Sequence, residues 1–177
     1  MDYRELSADE INVERFARFI RRQVVTKCWR NVDGEWRILD VPFVDDWGAE
    51  EMAELARCLR KTALDGGLVY AALDGDGFVK GMTSVQPTLY GANAEYLDLS
   101  SIHVSQDMRG QGVGRALFAK AKAWAKAHGA RKLYISAHSA VESQAFYRAM
   151  GCVDAVWIDR AHAEEEPCDR QLECALD

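Results

Sequence analysis

The run Arg109-Gly110-Gln111-Gly112-Val113-Gly114-Arg115 constrains the fold of this chain more than any other stretch. It lies between an extended segment ending at Val104 and a helical pattern starting near Val113, so it must turn a strand into a helix. Three glycines in five residues leave the backbone bare enough for its N–H groups to approach a ligand directly. A helix N-terminus favours negative charge by roughly 0.3 to 1 kcal/mol per interaction, and the arginines at both ends suit phosphate oxygens. The loop therefore reads as a pyrophosphate cradle. A dinucleotide fingerprint would need a glycine where Arg115 stands, and a P-loop would need Gly-Lys-Ser/Thr. Taken alone, the glycines could also be turn chemistry.

Around the cradle the hydrophobic period alternates between helix and strand. Tyr3 to Leu6 reads as a short strand, and Ser7-Ala8-Asp9-Glu10 has capping-box spacing, followed by Val13, Phe16, Ile20 and Val24 at helical intervals. Thr26 to Trp47 is irregular, with a turn at Asp33-Gly34. A helix is expected from about Ala49 to Leu64, ended by Gly66-Gly67. Leu68–Leu73 and Phe78–Val85 form a hairpin around Asp74-Gly75-Asp76-Gly77. In Tyr96 to Val104 the apolar positions Leu97, Leu99, Ile102 and Val104 step by two, three and two. A bulge at Ser100-Ser101 would keep all four on one face; the alternative is a strand that ends at Ser100. Val113 to His128 carries the stripe Val113, Leu117, Ala121 and Trp124 and is capped by Gly129. Lys132–Ala137 is a strand. Ser139-Ala140-Val141-Glu142 repeats the capping-box spacing before a short helix with Phe146 and Met150 toward the core, and with Ser143 and Tyr147 sharing another face. Residues 152–158 and 171–176 read as closing strands around a charged connection, with Glu164-Glu165-Glu166 as a solvated loop.

Length and charge limit the partners. The chain's 177 residues suffice for one domain with a continuous core. A net charge of −6 disfavours nucleic acid, and no run reaches membrane-span length, so a cytoplasmic location is expected. The five cysteines are scattered without zinc or redox spacing; reduced thiols and no metal are expected.

The order strand, glycine loop, helix, strand and short tyrosine-bearing helix, from about Tyr96 to Cys152, resembles the GNAT superfamily of N-acetyltransferases. Arg109 to Gly114 matches that family's Gln/Arg-x-x-Gly-x-Gly/Ala signature. Ala145-Phe146-Tyr147-Arg148-Ala149-Met150-Gly151 is similar to its Phe-Tyr-x-x-x-Gly segment. Two positions depart: Ala140 stands where the family often has asparagine, and Cys152 where phenylalanine often follows the glycine. The resemblance implies an α+β fold, with a mixed, mostly antiparallel sheet of six or seven strands flanked by helices and splayed central parallel strands. The coenzyme-binding part would span about residues 95–152 and the acceptor side mainly about 1–90.

The same resemblance implies transfer of the acetyl group of acetyl-CoA to a primary amine of a small molecule or peptide, or, alternatively, a non-catalytic coenzyme A-binding module. The implied coenzyme contacts are Ile102, His103 and Val104 on the strand, Arg109, Gly110, Gln111, Gly112, Val113, Gly114 and Arg115 in the cradle, and Ser139, Ser143 and Tyr147 beyond it. Tyr147 would protonate the leaving thiolate, unless it is an amphipathic core tyrosine. An acceptor amine with a pKa near ~10.4 must lose a proton first. Asp98 is the first candidate base, with a purely structural carboxylate as the alternative, and His103 is the second. Trp29, Trp36 and Trp47 with Asp40, Asp45 and Asp46 could wall a cationic acceptor, or the tryptophans could simply fill the core. Homodimers are common in the resembling family.

Overall fold

The computed structural model describes residues 1–176. Its centre is two four-stranded sheets that meet along one strand path. The first sheet runs β1 (Asp2–Glu5), β4 (Leu68–Leu73), β5 (Val79–Val85) and β7 (Ser101–Val104), all antiparallel. The second runs β6 (Tyr96–Asp98), β8 (Lys132–Ala137), β10 (Arg170–Ala175) and β9 (Val153–Asp154), in which only the β6–β8 pair is parallel. A separate hairpin joins β2 (Arg22–Val32) to β3 (Glu35–Asp46). The helices are α1 (Ala49–Leu64), α2 (Val113–Ala127), α3 (Val141–Ala149) and α4 (Arg160–Glu165). This is the mixed, mostly antiparallel α+β fold expected, with its strands divided between two sheets instead of lying in one.

The break at Ser100 is a change of sheet. The Leu99 amide donates to Tyr134 on β8, and the next amide, that of Ser100, donates to Ser84 on β5, at 2.9 and 3.1 Å. Successive strand amides point to opposite sides, so the chain is bonded to both neighbours at this point. Beyond it, β7 stays with β5 and leaves β8, opening a V whose vertex is at Asp98–Ser100. The apolar step of three marks this crossing and carries the bulge expected at Ser100-Ser101: Ser84 is paired with Ser101 and also accepts from the Ser100 amide.

Both faces of the first sheet are covered. On one, Met52, Leu55 and Leu59 of α1 pack with Phe16, Val69, Ala71 and Met82. On the other, Val113 and Leu117 of α2 pack on Ala72, Ile102 and Val104, while Phe118 and Ala121 continue into a core with Leu97, Leu99, Leu133 and Ile135. Gly81 makes this approach possible: a Cβ there would lie 2.8 Å from Val113 Cγ1.

Four expectations fail for tertiary reasons. The stripe Val13-Phe16-Ile20-Val24 does not form a helix. Its capping box does form, with the Ser7 amide donating to Glu10, but only short 3-10 turns follow at Ala8–Glu10 and Val13–Phe16. The chain then enters β2, where ten residues pair with β3; Ile20 and Val24 end up exposed. The Ser139–Glu142 capping box is absent: Ala140 is the N-cap, and Ser139 accepts a bond from Arg30 instead, at 2.6 Å. The charged connection holds a helix, α4, whose N-cap Asp159 accepts from the amides of Ala161 and His162. The residues before it form a two-residue strand, β9, where a longer one was expected.

Candidate active site

The V between β7 and β8 opens into a cleft of about 1710 Å³ that runs from the glycine loop to α4. At one end stands the cradle. Gly110 and Gly112 have φ of +74° and +81°, and nothing lies within 4 Å of where their Cβ atoms would be. Both therefore need glycine for the backbone, and both face open space. Gly112 is the N-cap of α2, so the free N–H groups of the first turn point toward the cleft end. Gly114 differs: its Cβ would sit 3.2 Å from the Phe146 ring, inside the α2–α3 contact. Arg109, Gly110, Gly112, Val113, Gly114 and Arg115 line the cleft, whereas the Gln111 side chain turns back to donate to the Asp107 carbonyl at 3.1 Å.

Midway, β7 forms one wall. The Ser105 amide donates to the Lys80 carbonyl, so in the unbroken β5–β7 register the amides of Ser101 and His103 also face β5, and those of Ile102 and Val104 face the side that β8 has left. Ile102, His103 and Val104 all line the cleft. The His103 ring lies edge-on to Trp47, with centroids 5.0 Å apart. Burial, aided by the positive charges of Arg21 and Arg109, pushes its pKa down to about 3. At neutral pH His103 is thus a neutral imidazole and a poor proton acceptor, which weakens its standing as the second base.

From α3, Phe146, Tyr147 and Met150 pack against the same core cluster, so Tyr147 does not face away from the other two as expected. It lines the cleft with Ser143. Burial holds its phenol well above the ordinary tyrosine value, which keeps the proton on oxygen at neutral pH. Ser139 is not placed to touch a ligand: it is buried beneath β2, where Trp29 donates to its carbonyl at 2.8 Å. Ala140 beside it is fully buried against Val25 and Cys28. The hairpin thus occupies the space an asparagine side chain would need.

The far end is acidic. Asp98, Glu165, Glu166 and Asp169 contribute to its lining. Burial, reinforced by Glu166 and opposed by Arg30 and Ser136, raises the pKa of Asp169 to about 6. Asp98 leaves β6 on the face opposite Leu97 and Leu99, and its Oδ1 meets His162 Nε2 of α4 at 3.1 Å. Neither His162 nor Asp169 carried a motif in the sequence. Of the tryptophans, only Trp47 reaches the cleft, with Asp45 accepting from its indole and pairing with Arg21. Trp29 and Trp36 flank the Arg170 guanidinium outside it, and Asp40 is exposed.

A bare anion cradle at a helix N-terminus, beside a strand parted from its parallel neighbour, matches what comparison with known proteins finds. The family model described as Acetyltransferase (GNAT) family matches residues 33–152. This chain belongs to the GNAT acetyltransferase family. No curated protein matches it significantly. Among solved structures, a Bacillus anthracis protein assigned as a streptothricin acetyltransferase, in complex with acetyl coenzyme A, is similar at 20% identity and TM-score 0.71, covering 99% of this chain and 98% of that one. A nourseothricin acetyltransferase is similar at 21% identity and TM-score 0.66, covering 97% and 95%. An aminoglycoside 6'-N-acetyltransferase complexed with coenzyme A is similar at 15% identity and TM-score 0.55, covering 74% and 82%. At these identities the likeness shows that the GNAT fold extends over essentially the whole chain, including the hairpin and α4.

Proposed function

We propose that this GNAT acetyltransferase moves the acetyl group of acetyl-CoA directly to a primary amine of a small cationic acceptor. The observation that carries this reading is the charge gradient along the cleft. Arg109 and Arg115 stand at the glycine end, and carboxylates from β6, α4 and the segment before β10 stand around His162 at the other. A polyanionic coenzyme and a cationic acceptor would enter such a cleft from opposite ends. The likeness to an aminoglycoside 6'-N-acetyltransferase is in keeping with an amine-bearing acceptor.

In this reading the pyrophosphate rests on the amides of Gly110 to Gly114. The pantetheine arm lies along β7 in place of the departed β8. A backbone amide there, that of Ile102 or Val104, polarises the thioester carbonyl. The acceptor ammonium loses a proton on the Asp98 side, and its nitrogen lone pair attacks the carbonyl carbon. The C–S bond breaks, and Tyr147 hands its proton to the sulfur. A phenol that stays protonated at neutral pH is suited to that role.

The test is thiol release from acetyl-CoA against a panel of mono-, di- and polyamines. Turnover is expected to favour acceptors with more than one positive charge, and Tyr147→Phe is expected to lower kcat by about 10²-fold or more while leaving the Kd for coenzyme A within about twofold. Tight coenzyme binding with no turnover of any amine would favour the non-catalytic binding module instead.

A further inference from the structure

Helix α4 holds one imidazole inside the acidic end of the cleft, and the surrounding structure fixes how that imidazole is presented. Asp98 on β6 is 14% exposed and His162 29% exposed, and they meet at 3.1 Å through Oδ1 and Nε2. The helix that carries His162 is held in place at its first turn. Asp159 caps it by accepting from the amides of Ala161 and His162, and the Asp159 amide donates to the Tyr134 hydroxyl of β8 at 3.0 Å. The Tyr134 ring lies 5.6 Å from the imidazole, centroid to centroid. A carboxylate on Nε2 selects the tautomer with its proton on that nitrogen and leaves the lone pair on Nδ1. Among the described residues no hydrogen bond engages Nδ1, and His162 lines the cleft.

We infer that His162 is the proton acceptor for the acetyl-receiving amine, and that Asp98 is the positioning residue that holds its imidazole. This rests on the acetyltransfer reading above and deepens it. An N–H bond of the acceptor ammonium breaks and an Nδ1–H bond forms, giving an imidazolium beside Asp98. The freed amine attacks the thioester, the C–S bond breaks, and the thiolate takes the Tyr147 proton. The phenolate regains a proton as the tetrahedral nitrogen sheds its second one, and His162 releases the first to solvent. One proton is released per amide formed.

The electrostatics agree with this geometry. Asp98 raises the pKa of His162, with Asp159 and Glu165 adding to the effect and burial opposing it. From the neighbouring elements, the Tyr134 phenol of β8 faces the ring, and Glu166 and Asp169 share the same end of the cleft. The imidazole therefore titrates above its ordinary value of ~6.5.

The test measures kcat against pH for the full chain, its His162→Gln variant and its Asp98→Asn variant, with side-chain nitrogen NMR of the imidazoles. Wild type is expected to show an acid limb above pH 6.5, with His162 as the Nε2–H tautomer. Asp98→Asn should move both the limb and the NMR titration to lower pH. His162→Gln should lower kcat by about 10²- to 10⁴-fold and abolish the limb. Wild-type activity in His162→Gln, or a lowered rate with the acid limb intact, would overturn the assignment while leaving the acetyltransfer reading standing. An Nδ1–H tautomer would overturn it as well, even if His162→Gln proved poorly folded. No turnover by the wild type would instead remove the reading on which it rests.

Discussion

Substituting Gly112 and Gly114 separately by alanine tests the cradle, because the structure gives the two glycines different reasons to be there. At Gly112, with φ +81°, alanine must adopt a left-handed conformation costing roughly 1 to 2 kcal/mol. Reduced freedom of the unfolded chain returns about 0.4 to 1 kcal/mol of that, so the net loss is near ~1 kcal/mol. For a chain of this size that lowers Tm by about 2 to 4 °C. At Gly114, within α2, alanine gains about 1 kcal/mol of helix propensity, offset by a contact 3.2 Å from Phe146, so stability should change little.

Coenzyme binding should separate the two more sharply. The Gly112 Cβ would project into open space at the helix N-terminus, where the phosphates are proposed to sit, whereas that of Gly114 would point into the α2–α3 contact. Isothermal titration calorimetry should show the Kd for coenzyme A rising about 5- to 10-fold in Gly112→Ala, equivalent to ~1 to 1.4 kcal/mol, and staying within about twofold in Gly114→Ala. Acetyl-pantetheine, which lacks the pyrophosphate, supplies the control: its kcat/KM should be unaffected in Gly112→Ala. Unchanged coenzyme affinity in Gly112→Ala, or an equal loss toward acetyl-pantetheine, would refute the placement of the phosphates over this loop.

Asp169 offers a stability test. Its pKa is raised from 3.8 to about 6, so folding favours the protonated acid; this stability is fully present below about pH 4 and is lost as pH rises through about 6. Asp169→Asn should therefore be more stable than wild type at pH 8, by up to about 3 kcal/mol before solvent screening of this partly exposed group, and indistinguishable near pH 4, measured by urea denaturation at both pH values; an equal difference at the two pH values would contradict the desolvated-carboxylate account. His103→Gln should leave the acid limb of the pH–rate profile in place, since a group held near pKa 3 does not titrate there; loss of that limb would restore His103 as a base.

The glycine loop, α1, α2, β4 and β8 were legible because their signals are local: each has a clean apolar period and a glycine or turn at its end. The site was legible only where its chemistry is also local. Gly110, Gly112 and Tyr147 lie within motifs, but His162 faces Asp98 across 64 residues of chain, and no spacing in one sequence announces that. Ser139 was misread for a related reason: its capping hydroxyl found Arg30, 109 residues away, once β2 folded over it.

By itself, then, the sequence determined the path from strand to anion cradle to helix, since three glycines and a 3.6-residue period admit few other backbones. Only the tertiary structure decided what surrounds that path. The stripe from Val13 to Val24 was divided between a 3-10 turn at Val13–Phe16 and the start of β2, where Val24 is paired with Val44 of the distant strand β3. The step of three at Ser100 became a change of sheet because the backbone there is bonded to β8 at one residue and to β5 at the next. A charged connection became the carrier of a half-buried imidazole because Tyr134 and Asp98, both on the second sheet, stand where α4 can meet them. Each outcome depended on which distant groups were available as partners.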